Sequence, residues 1–262
     1  MVRLPRVVDI APGTGPLTAR LVIRHARGMW RARTGRIAGA AFVFFVPPAL
    51  LFFGAEYVRD VYADSSGTAR LALLAGIIAL ASVARFLGAI FFAGFLDLAI
   101  GDDYFRGERR TMRTVLRDLP WKPLLAVDVV VNVAASIALL LFVVPGLVVY
   151  TLWGLVGPVV VQERRGPWDA LRRTARISRP HWVMVLGLVV IPVGIEHALA
   201  EFIRHLVEDD GIVLVVAAEW FIAMTMLAAV GVVEVALATE LMIRTPAADR
   251  AAVRSGTATP GP

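Results

Sequence analysis

Of the 262 residues, 58% are hydrophobic and 18% are charged, the formal net charge is +6, and there is no cysteine. So few charges cannot cover so much apolar surface in water, which excludes a soluble domain of this length; the missing thiols exclude disulfide frameworks, thiolate nucleophiles and cysteine zinc sites. An isoelectric point near 10.6 does not point to nucleic acid, because the basic residues sit at the edges of apolar runs and no groove-reading motif accompanies them.

The chain opens with an arginine-rich segment, residues 1–36, holding eight arginines. Its PGTGP stretch (12–16) lacks the following lysine and the strand-to-helix context of a phosphate loop, and reads as a lead-in. From Leu17 to Arg33 the pattern is that of an amphipathic helix, with Arg20, Arg24, Arg27 and Arg31 opposite Val22, Ile23, Ala26, Met29 and Trp30. A first span follows at 37–58, too long and too poor in small residues at its end for a cleaved signal peptide. Pro47-Pro48 predicts a kink in it, since neither residue donates a backbone hydrogen bond.

Further spans are expected at 71–99, 124–144, 147–161, 182–200 and 212–238, the third and fourth joined only by Pro145-Gly146. Runs of about twenty apolar residues suit helices crossing a hydrocarbon core of roughly 30 Å, and only helices or closed barrels satisfy the backbone in lipid. The expectation is an all-α polytopic membrane bundle of about six transmembrane helices (37–244), between a basic segment (1–36) and a disordered tail (245–262).

Two more amphipathic segments lie between the spans. In ERRTMRTVLRDL, Met112, Val115, Leu116 and Leu119 recur at helical spacing, with Arg110, Arg113 and Arg117 on the other side. In PWDALRRTARIS, Pro167 suits the first helical position, Asp169 complements the helix N-terminus, and Arg172, Arg176 and Arg179 form a stripe. All three segments are expected along the cytoplasmic face, apolar side in the acyl boundary and guanidinium groups among phosphates. Arg110, Arg113, Arg117, Arg172, Arg173 and Arg176 are the candidate head-group ligands and anionic membrane lipids the candidate partners. The arginines can equally serve topology alone, and another membrane or cytoplasmic protein is an alternative partner.

The charges alternate from loop to loop. Residues 1–36 hold eight arginines, 101–122 five and Lys122, 162–180 six, and the tail after 243 three, against Arg59, Arg70 and Arg204 among seven carboxylates on the other side. By the positive-inside rule both termini are cytoplasmic. The ratio of 26 arginines to one lysine fits a GC-rich bacterial genome, and the expected location is the bacterial cell membrane.

Pro145-Gly146, Pro158, Glu163, Ala170-Leu171-Arg172-Arg173 and Trp182 form a pattern that resembles the membrane-domain family named after glycerophosphoryl diester phosphodiesterase. Thr174 and Ile177 stand where that family usually has serine and leucine, and the likeness reaches from about Pro16 to Arg244. The resemblance implies an all-helical bacterial membrane protein of poorly defined activity. It does not imply a phosphodiesterase, which needs a soluble metal-binding barrel; no segment here is long or polar enough to be one.

Few side chains offer chemistry. His25 and His181 fall in basic interfacial segments and are expected to face water or head groups. His197, Glu201 and His205 share a helix face, but successive turns do not converge as a metal site needs, and neither a metal, a cofactor nor a catalytic set is expected. The chain reads as a non-enzymatic scaffold or lipid-associated accessory protein; the alternative is a transporter or lipid-handling protein with a polar site around Arg85.

Within the membrane, Ala72, Ala75, Gly76 and Ala79, and Ala134 with Ala138, are expected to face the bundle interior. Asp97, Asp128 and Glu234 should reach the cytoplasmic interface or its basic helices. Arg85 lies roughly 22 Å from the inner end of its span, too deep to snorkel there, with Glu196, His197 and Glu219 at matching heights. Arg85 is therefore expected to face the interior and pair with Glu196 or Glu219.

Overall fold

The computed structural model describes residues 13, 15–61, 67–107, 110–207 and 212–245. They are helical almost throughout, with no strand among them, and six helices are long and apolar enough to cross a membrane. The protein is a multi-pass integral membrane protein of the all-α class. The tail beyond Thr245, expected to be disordered, lies outside the described residues.

Helix α1 runs Ala19–Val61 and contains both the amphipathic segment and the first span. The two meet at Arg33, whose backbone (φ −138°, ψ 21°) is the one non-helical position. The helix passes through Pro47 and Pro48 without another such residue, so the break at Arg33, fourteen residues earlier, is separate from the kink expected at the prolines. The prolines still leave a mark. Pro48 cannot donate to the Phe44 carbonyl, and α2 (Thr68–Phe95) brings Gly88 against that oxygen, so closely that a Cβ on Gly88 would lie 2.6 Å from it.

Beyond α2 the chain winds more widely as a π-segment, Leu96–Arg106, which ends on Gly107 in the left-handed conformation (φ 74°). A short α3 (Met112–Asp118) starts from Thr111, whose hydroxyl accepts the Thr114 N–H. Helices α4 (Trp121–Leu141) and α5 (Val143–Trp153) form a hairpin whose turn is Phe142, in extended conformation. Pro145 and Gly146 are not that turn but part of the first winding of α5, where a missing proline N–H costs nothing. Gly154 and Leu155 separate α5 from α6 (Val156–Glu163).

Helix α7 (Pro167–Ser178) is the predicted amphipathic segment. A 3-10 turn, α8 (Trp182–Val185), a π-turn (Leu186–Val190) and α9 (Ile191–Val207) follow, and α10 is Ile212–Arg244. Helix α1 packs on α2 and α10, and α10 on α9.

Packing is uneven along the bundle. The core gathers residues from both parts of α1, the π-segment, α3, α6, α7 and the last turns of α10. Towards the other end, no residue of 71–80 is buried. Ala72, Ala75, Gly76 and Ala79 thus do not face the interior, contrary to the sequence expectation, and Ala134 and Ala138 are only half-buried. Small residues permit close approach without compelling it, and α2 uses Gly88 for its contact with α1.

Candidate functional site

The most polar region is the compact end of the bundle, where the amphipathic half of α1, the π-segment, α3, α6, α7 and the end of α10 meet. Three carboxylates organise it. Asp103 receives Arg33 Nε at 2.5 Å and Arg36 Nη1 at 3.0 Å; the break at Arg33 thus coincides with the residue that ties the two halves of α1 to the π-segment. Glu163, at the end of α6, receives Arg165 at 2.5 Å and Arg173 at 3.2 Å, and Arg173 also donates to the Thr245 carbonyl. Glu240 on α10 receives Arg244 at 3.0 Å and the Gly13 N–H at 3.2 Å, with His25 Nδ1 3.3 Å away. Gly13 and Thr245 therefore lie at the same end.

These contacts correct several expectations. His25 does not face water: it is 2% exposed, edge-on to Phe105 with ring centroids 5.6 Å apart. Arg173 is no head-group ligand, being buried with Glu163, and Arg110 is drawn inward to Asp102 at 3.2 Å and Asp118 at 3.6 Å. The apolar sides of the three amphipathic helices are largely taken up by the protein's own core, through Val22, Met29, Val115, Leu171 and Ile177. Lipid tails and a protein core attract an apolar stripe equally, so periodicity alone does not choose between them.

The outward side remains charged. Arg172 and Arg176 of α7 and Arg179 of the 3-10 turn after it are exposed, as are Arg113, Arg117 and, on α1, Arg20, Arg24, Arg27 and Arg31. Arg117 has Asp118 at 3.4 Å. Exposed tryptophans, Trp121, Trp168 and Trp182, stand at the starts of α4, α7 and α8.

Just inside this end, Asp97 is buried and accepts from Gln162 Nε2 at 3.2 Å, which also reaches Thr239 at 3.2 Å. Asp97 and Asp128 are the charged neighbours of half-buried Glu234. Of the two expected destinations, the interface or its basic helices, Asp97 does not take the second: it lies in the π-segment, buried, with Gln162 as its partner. No group of three histidines or carboxylates among the described residues is placed to hold a metal ion.

At mid-membrane, Arg85 Nη2 lies 4.0 Å from Glu196 Oε1. Arg85 does not face the interior: its side chain is 51% exposed, whereas Glu196 is buried. The length of the arginine chain lets it reach Glu196 from the rim of the bundle. His197 is exposed, with Nδ1 3.0 Å from Glu196 and 2.9 Å from the Val193 carbonyl. The side chain of Glu219 lies outside what the structure describes. No family model, curated protein or solved structure matches this chain.

Proposed function

We propose that this is a non-enzymatic membrane scaffold or lipid-associated accessory protein whose arginine-rich end faces the cytoplasm of a bacterial cell and holds anionic lipid head groups. One observation carries the reading. Helix α7 is fastened to the bundle by Ala170, Leu171, Thr174 and Ile177, while Arg172, Arg176 and Arg179 point outward with no carboxylate partner among the described residues. Arginines that only balanced internal charge would be paired as Arg173 is. The exposed tryptophans at this end suit the head-group level, where aromatic rings with one polar edge collect.

The test is lipid retention by the purified full chain. Each basic residue near an anionic surface contributes about 1 kcal/mol. Replacing Arg172, Arg176 and Arg179 by glutamine should thus reduce the preference for phosphatidylglycerol over phosphatidylethanolamine on the order of 100-fold at low salt, read by native mass spectrometry. An unchanged preference overturns the proposal. The second reading, a transporter or lipid-handling protein, is favoured by the half-exposed Arg85 beside buried Glu196, since a guanidinium at that depth seeks water, a head group or a partner.

A further inference from the structure

The connection between α4 and α5 differs from the other two turns on the side away from the arginine-rich end. In sequence those two carry Arg59, Asp60 and Asp64, and Glu208, Asp209 and Asp210, whereas residues 137–149, IALLLFVVPGLVV, contain no polar side chain. The structure leaves this apolar turn uncovered: Leu140 is 88% and Phe142 73% exposed, and Leu141, Val143 and Val144 are exposed as well. Five consecutive bare apolar side chains at the tip of a hairpin would be costly in water.

The lengths say where the tip lies. Helix α4 has 21 residues, about 31 Å at 1.5 Å per residue, and the return, Val143–Glu163, has the same number of residues but is broken at Gly154 and Leu155. With Trp121 and Trp182 at the near interface, the tip just reaches the far edge of a hydrocarbon core of roughly 30 Å. The backbone sets a limit in the other direction. Phe142 N–H returns to the Ala138 carbonyl at 3.0 Å and Gly146 N–H to the Phe142 carbonyl at 3.4 Å, and Pro145 has no N–H to satisfy. The last carbonyls of α4 and the first N–H groups of α5 remain without intrahelical partners, so the turn cannot sit in pure hydrocarbon.

We propose that the α4–α5 turn is a lipid anchor seated at the glycerol-ester level of the leaflet opposite the arginine-rich end. Leu140 to Val144 lie among acyl chains, the unpartnered backbone groups are met by ester oxygens and interfacial water, and no loop enters the aqueous phase. The hairpin is then matched to one bilayer thickness, because a thinner membrane pushes apolar side chains into water.

The absence of native cysteine makes the test direct. Phe142→Cys and Thr68→Cys variants of the full chain are reconstituted in dioleoyl vesicles with a membrane-impermeant maleimide on both sides. Thr68, exposed at the start of α2, should label readily, and Phe142 about tenfold more slowly or less, as expected for a group held out of water, while a lipid-soluble maleimide labels Phe142. In shorter-chain vesicles the impermeant reagent should gain access to Phe142. Equal labelling of both sites places the turn in water and overturns the proposal. Labelling of Phe142 by neither reagent also overturns it, in favour of a protein cover such as a second copy. If the cysteine variant does not fold, Phe142→Trp replaces it: its added fluorescence should be quenched by lipids brominated near the ester, and the absence of quenching is equally fatal.

Discussion

Gly88→Ala is the sharpest perturbation of the α1–α2 contact. A Cβ there would lie 2.6 Å from the Phe44 carbonyl oxygen and 3.6 Å from its carbon, and backbone cannot swing aside as a flexible side chain can. Restoring ordinary contact moves the helices apart by roughly half an ångström or more. The same level holds Phe44 against Phe91 and Phe92 and Phe45 against Phe92, with ring centroids 6.4, 6.5 and 5.3 Å apart, so separation loosens aromatic pairs too. Overpacking of this kind costs about 1–3 kcal/mol, and an aromatic pair contributes about 0.5–1.5. Alanine returns up to about 1 kcal/mol of helix propensity, leaving a net loss of about 1–2 kcal/mol. Gly76→Ala is the control, because nothing lies within 4 Å of its would-be Cβ; it should be neutral or slightly stabilising. Equilibrium unfolding in mixed micelles compares the two. If both variants shift in the same direction, the close approach at Gly88 is not what joins α1 to α2.

Two further substitutions address buried charge. Arg173→Met leaves Glu163 with Arg165 alone and removes the bond to the Thr245 carbonyl; a loss of about 3 kcal/mol is expected, with Arg173→Met/Glu163→Gln recovering more than half of it in the same unfolding assay. A surface pair would lose 1 kcal/mol or less, so a loss that small contradicts the buried role. Arg85→Leu removes a half-exposed guanidinium that lipid solvates poorly but leaves the buried Glu196 without it, so the two effects offset and a net cost of about 1 kcal/mol is expected, and Arg85→Leu/Glu196→Leu should regain it. A full loss that the double variant does not repair would mean that Arg85 acts through something other than Glu196.

The six crossings were legible because twenty-residue apolar runs have few alternative fates, and the charge pattern identified one basic end. What the sequence concealed lies where two environments are equally apolar or where winding changes. Nothing in LDLAIGDDYFR announces the π-segment, and Gly35, two residues past Arg33, is only a weak mark of the break there. Other errors had a readable signal. On α7 the buried positions are Ala170, Leu171, Arg173, Thr174, Ile177 and Ser178, so Arg173 occupies the apolar phase that Arg172 and Arg176 avoid. On α1, His25 falls between Leu21, Val22, Ala26 and Met29, again in the apolar phase. A basic side chain in phase with a core stripe has to be neutralised from within the fold, and Glu163 and Glu240 stand at the ends of α6 and α10 to do so. Arg172 and Arg176 of α7, out of phase with that stripe, have no such partner among the described residues, and it is their phase, more than their number, that turns them toward a surface outside the protein.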